Sequence, residues 1–164
     1  MQTRRLHNLG EEEREFLESA ALLHEIGLFV SHDSHHRHSY YLIRNAELAG
    51  FTENEKAVIA NVARYHRKSY PKFKHEGFSM LSAKDQDIVS KLASILRIAD
   101  GLDRSHASAV DHLKVRIIDG HMYITCFCNR KHDPAMEQWG AERNQALFEK
   151  TFNMKVRVSI RFLF

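Results

Sequence analysis

His24 and Glu25 stand side by side near the end of a helical stretch. His38, His66 and Asp100 each fall on or beside the apolar stripe of a later predicted helix. Neutral imidazole nitrogen together with carboxylate oxygen, delivered from several elements, is what divalent metals bind, and helical bundles build such sites from inward side chains. As neighbours, His24 and Glu25 diverge by about 100° around a helix. They converge on one ion only at a helix end, and Gly27, read as the C′ glycine that stops the helix, puts them there. With Asp100 they supply three ligands for Mg, Mn or Zn and leave positions for water or phosphate oxygen. A metal-bound water is a competent nucleophile toward phosphoanhydrides. The other reading of His24, Glu25 and Asp100 is a buried hydrogen-bonded network.

A second constellation is cationic. Arg64, Arg67, Lys68, Lys72 and Lys74 lie in an acid-free stretch from Arg64 to Lys74 that also holds His66. Arg37 and His38 open the second predicted helix, where backbone N–H groups and the helix dipole favour an anion. Guanidinium forks match phosphate oxygens bidentately, and a basic track holds a flexible polyanion through counterion release, losing it steeply with salt. The residues expected at such an anion are Arg37, His38, Arg64, His66, Arg67 and Lys68. The competing reading is an ordinary solvated basic face.

The elements that must position these residues read as helices first. Phe16, Leu17, Ala20, Ala21, Leu23 and His24 keep helical spacing over Glu11–Ile26. Arg37–Leu48 follows, with His38, Tyr41, Leu42, Asn45 and Ala46 on one side. Thr52 with Glu55 forms a capping box for a third helix striped by Ile59, Val62, Ala63 and His66, which Pro71 stops. Ser82 with Asp85 opens a longer fourth helix through Ile88, Leu92, Ile95, Leu96, Ala99 and Asp103, with Asp100 beside them. The period then changes to two. Leu113, Val115 and Ile117 alternate, Asp119-Gly120 makes a two-residue hairpin, and Met122, Ile124, Cys126 and Cys128 alternate onward. Asp133-Pro134 starts a helix to about Phe152, and Met154–Phe164 alternates again. The fold class is therefore mainly α, a helical bundle over residues 1–110, followed by a small α+β segment of ββαβ order over 111–164.

Composition bounds the rest. The chain has 164 residues, 43% hydrophobic and 27% charged with a net charge of +3, which suits a soluble domain large enough for a core. No apolar run reaches the ~18 residues of a membrane span, and the N-terminus has no signal-peptide run. Cys126 and Cys128, two apart on one strand, are poorly placed to bridge and suit a reducing cytoplasm; without a second pair they are no zinc signature. Trp139 reads as packing, Asp103-Arg104 as a helical-turn ion pair or interface contact. Tyr40, Tyr41 and Tyr65 read either as hydroxyls that order the histidines or as half-buried core.

Four ordered segments carry a family resemblance: Leu22-Leu23-His24-Glu25-Ile26-Gly27, His36-Arg37-His38-Ser39-Tyr40-Tyr41-Leu42-Ile43, Ala63-Arg64-Tyr65-His66-Arg67-Lys68 and Arg97-Ile98-Ala99-Asp100-Gly101-Leu102-Asp103-Arg104. Together they closely resemble the C-terminal region of the exopolyphosphatase / guanosine pentaphosphate phosphohydrolase (Ppx/GppA) family, an HD-type helical domain followed by a small α+β segment. Glu137-Gln138-Trp139 and Ala146-Leu147-Phe148-Glu149 extend the likeness into the tail. The resemblance implies a hydrolase family acting on phosphoanhydrides, with polyphosphate or guanosine polyphosphate as ligand. It implies neither a membrane nor a specific nucleic acid as partner. Two departures shape the expectation. The chain shows no G-x-G-x-x-G or P-loop pattern and only seven glycines, so the family's actin-like catalytic domains are not in it. The HD pair is His24-Glu25 instead of His-Asp, and its setting after His7 implies truncation before the first HD histidine. The leading expectation is a polyphosphate-binding accessory module. A stand-alone HD-type metal phosphohydrolase and a structural homodimerisation piece, joined through a C-terminal strand bearing Phe162 and Phe164, are the alternatives.

Overall fold

The computed structural model describes Leu6 and residues 8–162. They divide into a helical unit, Leu9–Leu96, and a second unit from Arg97 onward that holds the sheet. His7 and Phe164 lie outside the described residues.

The helical unit is built around one buried helix. Helix α1 is Glu11–Leu23, a 3-10 turn spans Ile26–Phe29, α2 is His35–Asn45, α3 is Glu53–Arg64 and α4 is the short Glu76–Ser79. Helix α5, Ala83–Leu102, runs unbroken from this unit into the next. The capping box at Thr52 forms as expected, with Glu55 N donating to Thr52 Oγ1 at 3.3 Å and Thr52 N to Glu55 Oε2 at 2.6 Å. From that start α3 packs against both α1 and α2 and buries Val58, Ile59, Ala60, Val62 and Ala63 almost completely. Ser82 likewise caps α5, accepting from Asp85 N at 3.1 Å.

Two local expectations are corrected. Gly27 is no left-handed C′ residue: α1 stops at Leu23, and Gly27 lies buried inside the 3-10 turn without a positive φ. Its need for glycine is close approach, since a Cβ there would meet Ser39 N at 2.5 Å and Ser39 Oγ at 2.8 Å. Helix α2 also turns a different face inward. His35, Ser39 and Ile43 are its buried residues, whereas Tyr41 is 65% exposed and His38 only half-buried. Ser39 faces in because its hydroxyl accepts from Gly27 N at 3.0 Å and donates to His24 O at 2.6 Å. That polar latch, invisible to an apolar-stripe argument, fixes where α1 ends.

In the second unit β1 (Val110–Ile118) pairs antiparallel with β2 (His121–Cys128). Asp119 and Gly120 both take positive φ, 48° and 72°, as a tight hairpin of this hand requires. The expected helix forms in two pieces, α6 (Ala135–Asn144) and α7 (Ala146–Phe152), and Pro134 instead of Asp133 is the N-cap. Strand β3 (Lys155–Phe162) then lies parallel to β2, giving the order β1-β2-β3. Met122, Ile124, Cys126 and Cys128 are buried on the central strand, both thiols free. No described helix is long and apolar enough to cross a membrane.

Candidate functional site

His24 follows the last residue of α1, His66 lies in the turn after α3, and Asp100 sits near the end of α5. Of the residues expected at a metal, His24 stands beside His66, which was expected elsewhere, while Asp100 belongs to the second unit. Glu25 caps the 3-10 turn instead. Expecting His24 and Glu25 to act as a pair overlooked the place of His66 at the end of α3, where its buried ring reaches back to the end of α1, with ring centroids 4.8 Å apart.

The protonation of these rings follows from their partners. His66 Nδ1 lies 2.6 Å from Ala63 O and His24 Nδ1 2.7 Å from Ala21 O. A carbonyl only accepts, so each Nδ1 carries a proton. Imidazoles held this way are nitrogen donors of the kind a divalent ion of the zinc or manganese type takes, with backbone carbonyls orienting the rings from behind.

His35 is buried against this cluster, with Nε2 3.3 Å from His66 Nε2. Arg67 Nη1 lies 3.4 Å and 3.3 Å from its two ring nitrogens, almost equidistant, so the guanidinium rests over the ring. Burial, with the Arg67 charge adding, lowers the His35 pKa.

The cations converge separately, on a cleft of about 520 Å³ between the start of α2 and the end of α3. Arg37, Arg64, Lys68 and Lys74 line it with Ser34, His36, Tyr65, Ser69 and His75, and Asp33 is the acid in the lining. Arg64 is positioned by two rings, its guanidinium carbon 5.2 Å from the Tyr40 centroid and 5.6 Å from that of Tyr65. Tyr65 OH is 2.8 Å from His75 Nδ1, and burial raises its own pKa to about 12. Burial, reinforced by Arg67 and its neighbouring cations, holds His36 down to about 4; burial and Arg64 lower His75. Both imidazoles are therefore neutral near pH 7 and can donate or accept, while the net charge comes from arginine and lysine.

Among the residues expected at an anion, Arg37, Arg64 and Lys68 thus share the cleft, but His38, His66 and Arg67 do not line it. His66 and Arg67 belong to the histidine cluster. His36, Lys74 and His75 join the cleft; for Lys74 and His75 the signal was the basic loop between Pro71 and Glu76. Elsewhere, Asp103 pairs with His106 at 3.6 Å instead of with Arg104. Trp139 is 51% exposed under Arg143, whose guanidinium carbon lies 5.0 Å from the ring, so the packing expectation for it is corrected to a surface cation–π contact.

Comparison with known proteins finds the family described as Ppx/GppA phosphatase, domain III, matching residues 1–143. Among individual relatives, a guanosine-5'-triphosphate,3'-diphosphate pyrophosphatase of Pseudoalteromonas translucida (strain TAC 125) is 35% identical over 83 residues, which is 51% of this chain and 16% of that protein.

Proposed function

The chain belongs to the Ppx/GppA phosphatase family, matching its domain III, and from that membership we propose that it binds the phosphate chain of polyphosphate or of a guanosine polyphosphate. In this reading phosphoanhydride hydrolysis is performed by other domains of the family, and this module extends the phosphate track. The observation that supports it is the lining of the cleft: Arg37, Arg64, Lys68 and Lys74 face one volume, with Arg64 held over two aromatic rings. A guanidinium already immobilised loses less side-chain entropy when it grips an oxygen pair. Neutral His36 and His75 add hydrogen bonds without the cost of crowding further charge into the site.

The test is titration calorimetry with tripolyphosphate at low and physiological salt. The expected result is binding that weakens steeply with salt and falls by at least tenfold in Arg37→Ala/Arg64→Ala, where two charge-assisted contacts of about 1.5–3 kcal/mol each are removed. Undetectable binding at low salt, or equal binding by the double variant, contradicts the proposal.

A second reading is favoured by the His24 and His66 rings, whose centroids lie 4.8 Å apart. Here the helical part, residues 1–110, is an HD-type bundle holding a divalent ion, distinct from the 111–164 segment. Such an ion would supply Lewis-acid polarisation of a phosphoryl oxygen. The chain's own contribution is to hold the His24 and His66 rings together and to bring a phosphate chain to the nearby cationic cleft. Metal analysis of protein purified without chelators decides it, with about one equivalent expected and a metal-free protein that takes up none contradicting it. We further propose a cytoplasmic setting, which the free thiols of Cys126 and Cys128 suit. A homodimer through the C-terminal strand β3, where Phe162 is exposed, belongs to the same proposal and is tested by mass at increasing concentration.

A further inference from the structure

The open face of the small sheet carries chemistry that the phosphate cleft does not use. We propose that this face binds single-stranded nucleic acid, stacking bases on Tyr123 and Phe127 of the central strand while cations of the flanking strands hold the phosphate backbone. The residues involved all belong to the second unit, so the proposal is independent of the cleft and of the histidine cluster.

The strand register builds this face row by row. On β2, Met122, Ile124, Cys126 and Cys128 are buried, so Tyr123, Thr125 and Phe127 between them point to the opposite side. Tyr123 is 42% exposed and stands in register with Arg116 on β1 and Arg157 on β3. In the next row Thr125 lies between Lys114 and Ser159, and in the row after it Phe127 lies between His112 and Arg161. Residues paired on neighbouring strands share a face and stand about 5 Å apart, so each ring has cationic side chains close beside it. Lys114, Arg116, Arg157 and Arg161 are all exposed, and among the described residues none of the four is in an ion pair. Lys155, one row further along, is held by Glu149 at 2.8 Å and is not counted with them. A histidine lies beside each ring, His121 at 6.2 Å from Tyr123 and His112 at 5.8 Å from Phe127 between centroids. These neighbours limit ring rotation and so lower the entropy lost on stacking.

The arrangement selects its ligand. None of the positions in these three rows is Asp or Glu, although the whole chain carries 21 acids against 24 Lys and Arg. Opposite charges on neighbouring strands stabilise a sheet and like charges oppose it, so a face of one sign is suited to a polyanion. A bare phosphate chain would satisfy the cations but offers no π-face to Tyr123 and Phe127. A single-stranded nucleic acid offers both, its backbone to the cations and its unstacked bases to the rings, and sheets with aromatic platforms bind it in this way. A duplex keeps its bases inside the stack, out of reach of the rings. The hydroxyls of Thr125 and Ser159, 3.4 Å apart in the row between the rings, are placed to meet sugar or base edges. Stacking accepts any base, so no sequence preference is expected.

The experiment titrates a fluorescently labelled oligouridine with the whole chain and follows its anisotropy as salt is raised. Wild type is expected to bind it, to lose it with salt, and to bind an RNA duplex of equal length more weakly. Tyr123→Ala is expected to weaken oligouridine about fivefold or more, the loss of one base stack, with the salt slope unchanged. Arg116→Ala/Arg157→Ala should weaken it too, and should make the salt slope shallower by about 1.4, two phosphate contacts at ~0.7 each. Should Tyr123→Ala fail to fold, Tyr123→Leu keeps apolar bulk without a ring and is expected to show the same loss. Tripolyphosphate binding should be the same in Tyr123→Ala as in wild type, so the sheet and the cleft can fail separately. No oligouridine binding by wild type at low salt, equal binding of the duplex, or undiminished binding by the folded Tyr123 variants overturns the proposal. Loss of oligouridine in Arg37→Ala/Arg64→Ala, with full binding in the sheet variants, would put the strand in the cleft and overturn it as well.

Discussion

At the residue scale the molecule turns on contacts that involve backbone. Gly27 has no room for a Cβ because the backbone of α2 lies against it, with Ser39 N at 2.5 Å from where that atom would be. Gly27→Ala is expected to destabilise by about 2–3 kcal/mol as an overpacked buried site, measured by urea unfolding, and to move His24 from its partners. Ser39→Ala removes the acceptor of the buried Gly27 N and the donor to His24 O, and should cost about 1–3 kcal/mol. The His24-Glu25 pairing illustrates what residue-level reading cannot reach. The two side chains read as a pair of candidate ligands, yet the ring beside His24 is a histidine over forty positions on, brought back by the packing of α3 on α1.

At the element scale, helix ends and the hairpin were written plainly in the chain. Thr52-Glu55, Ser82-Asp85 and Asp119-Gly120 act through neighbours a few positions apart, so local sequence suffices to place them. Helix α2 was misphased because its composition is polar: Tyr41, read as facing inward, points outward, and Ser39 faces in. In the sheet unit α5 and α6 touch backbone to backbone where Gly101 meets Gly140, and a Cβ on Gly101 would lie 2.5 Å from Gly140 C. Gly101→Ala should therefore destabilise by about 3 kcal/mol or more. Its effect is best followed through the thiols of Cys126 and Cys128, buried on β2, with burial pushing Cys126 up to about 11. In wild type an alkylating reagent should leave both thiols unmodified at neutral pH until denaturant exposes them. Gly101→Ala should bring the onset to lower urea.

At the scale of the whole molecule, twelve histidines make stability depend on pH. His35, His36 and His75 are all lowered by burial, His36 to about 4, with Arg37, Arg64 and Arg67 near it adding to the effect. A histidine lowered in the folded state takes up its proton more readily when unfolded. Its contribution is complete above the ordinary value of about 6.5 and is lost as pH falls from there toward the folded value. The urea midpoint should accordingly drop between pH 7 and pH 4.5, and His36→Gln should flatten that decline. Equal midpoints at the two pH values would contradict neutral histidines in the folded chain. The sequence by itself determined the order of elements, their caps, the hairpin, the buried faces of α3 and β2, and the family, because each is set by near neighbours or by motifs that survive in linear order. Only the tertiary structure decided that His35 and His66 face each other, that Ser39 holds the end of α1, and that Arg37 and Lys74 share a cleft with Arg64. Those relations depend on the phase and axial offset of one helix against another, which buried polar contacts fix and which no periodicity along a single chain records.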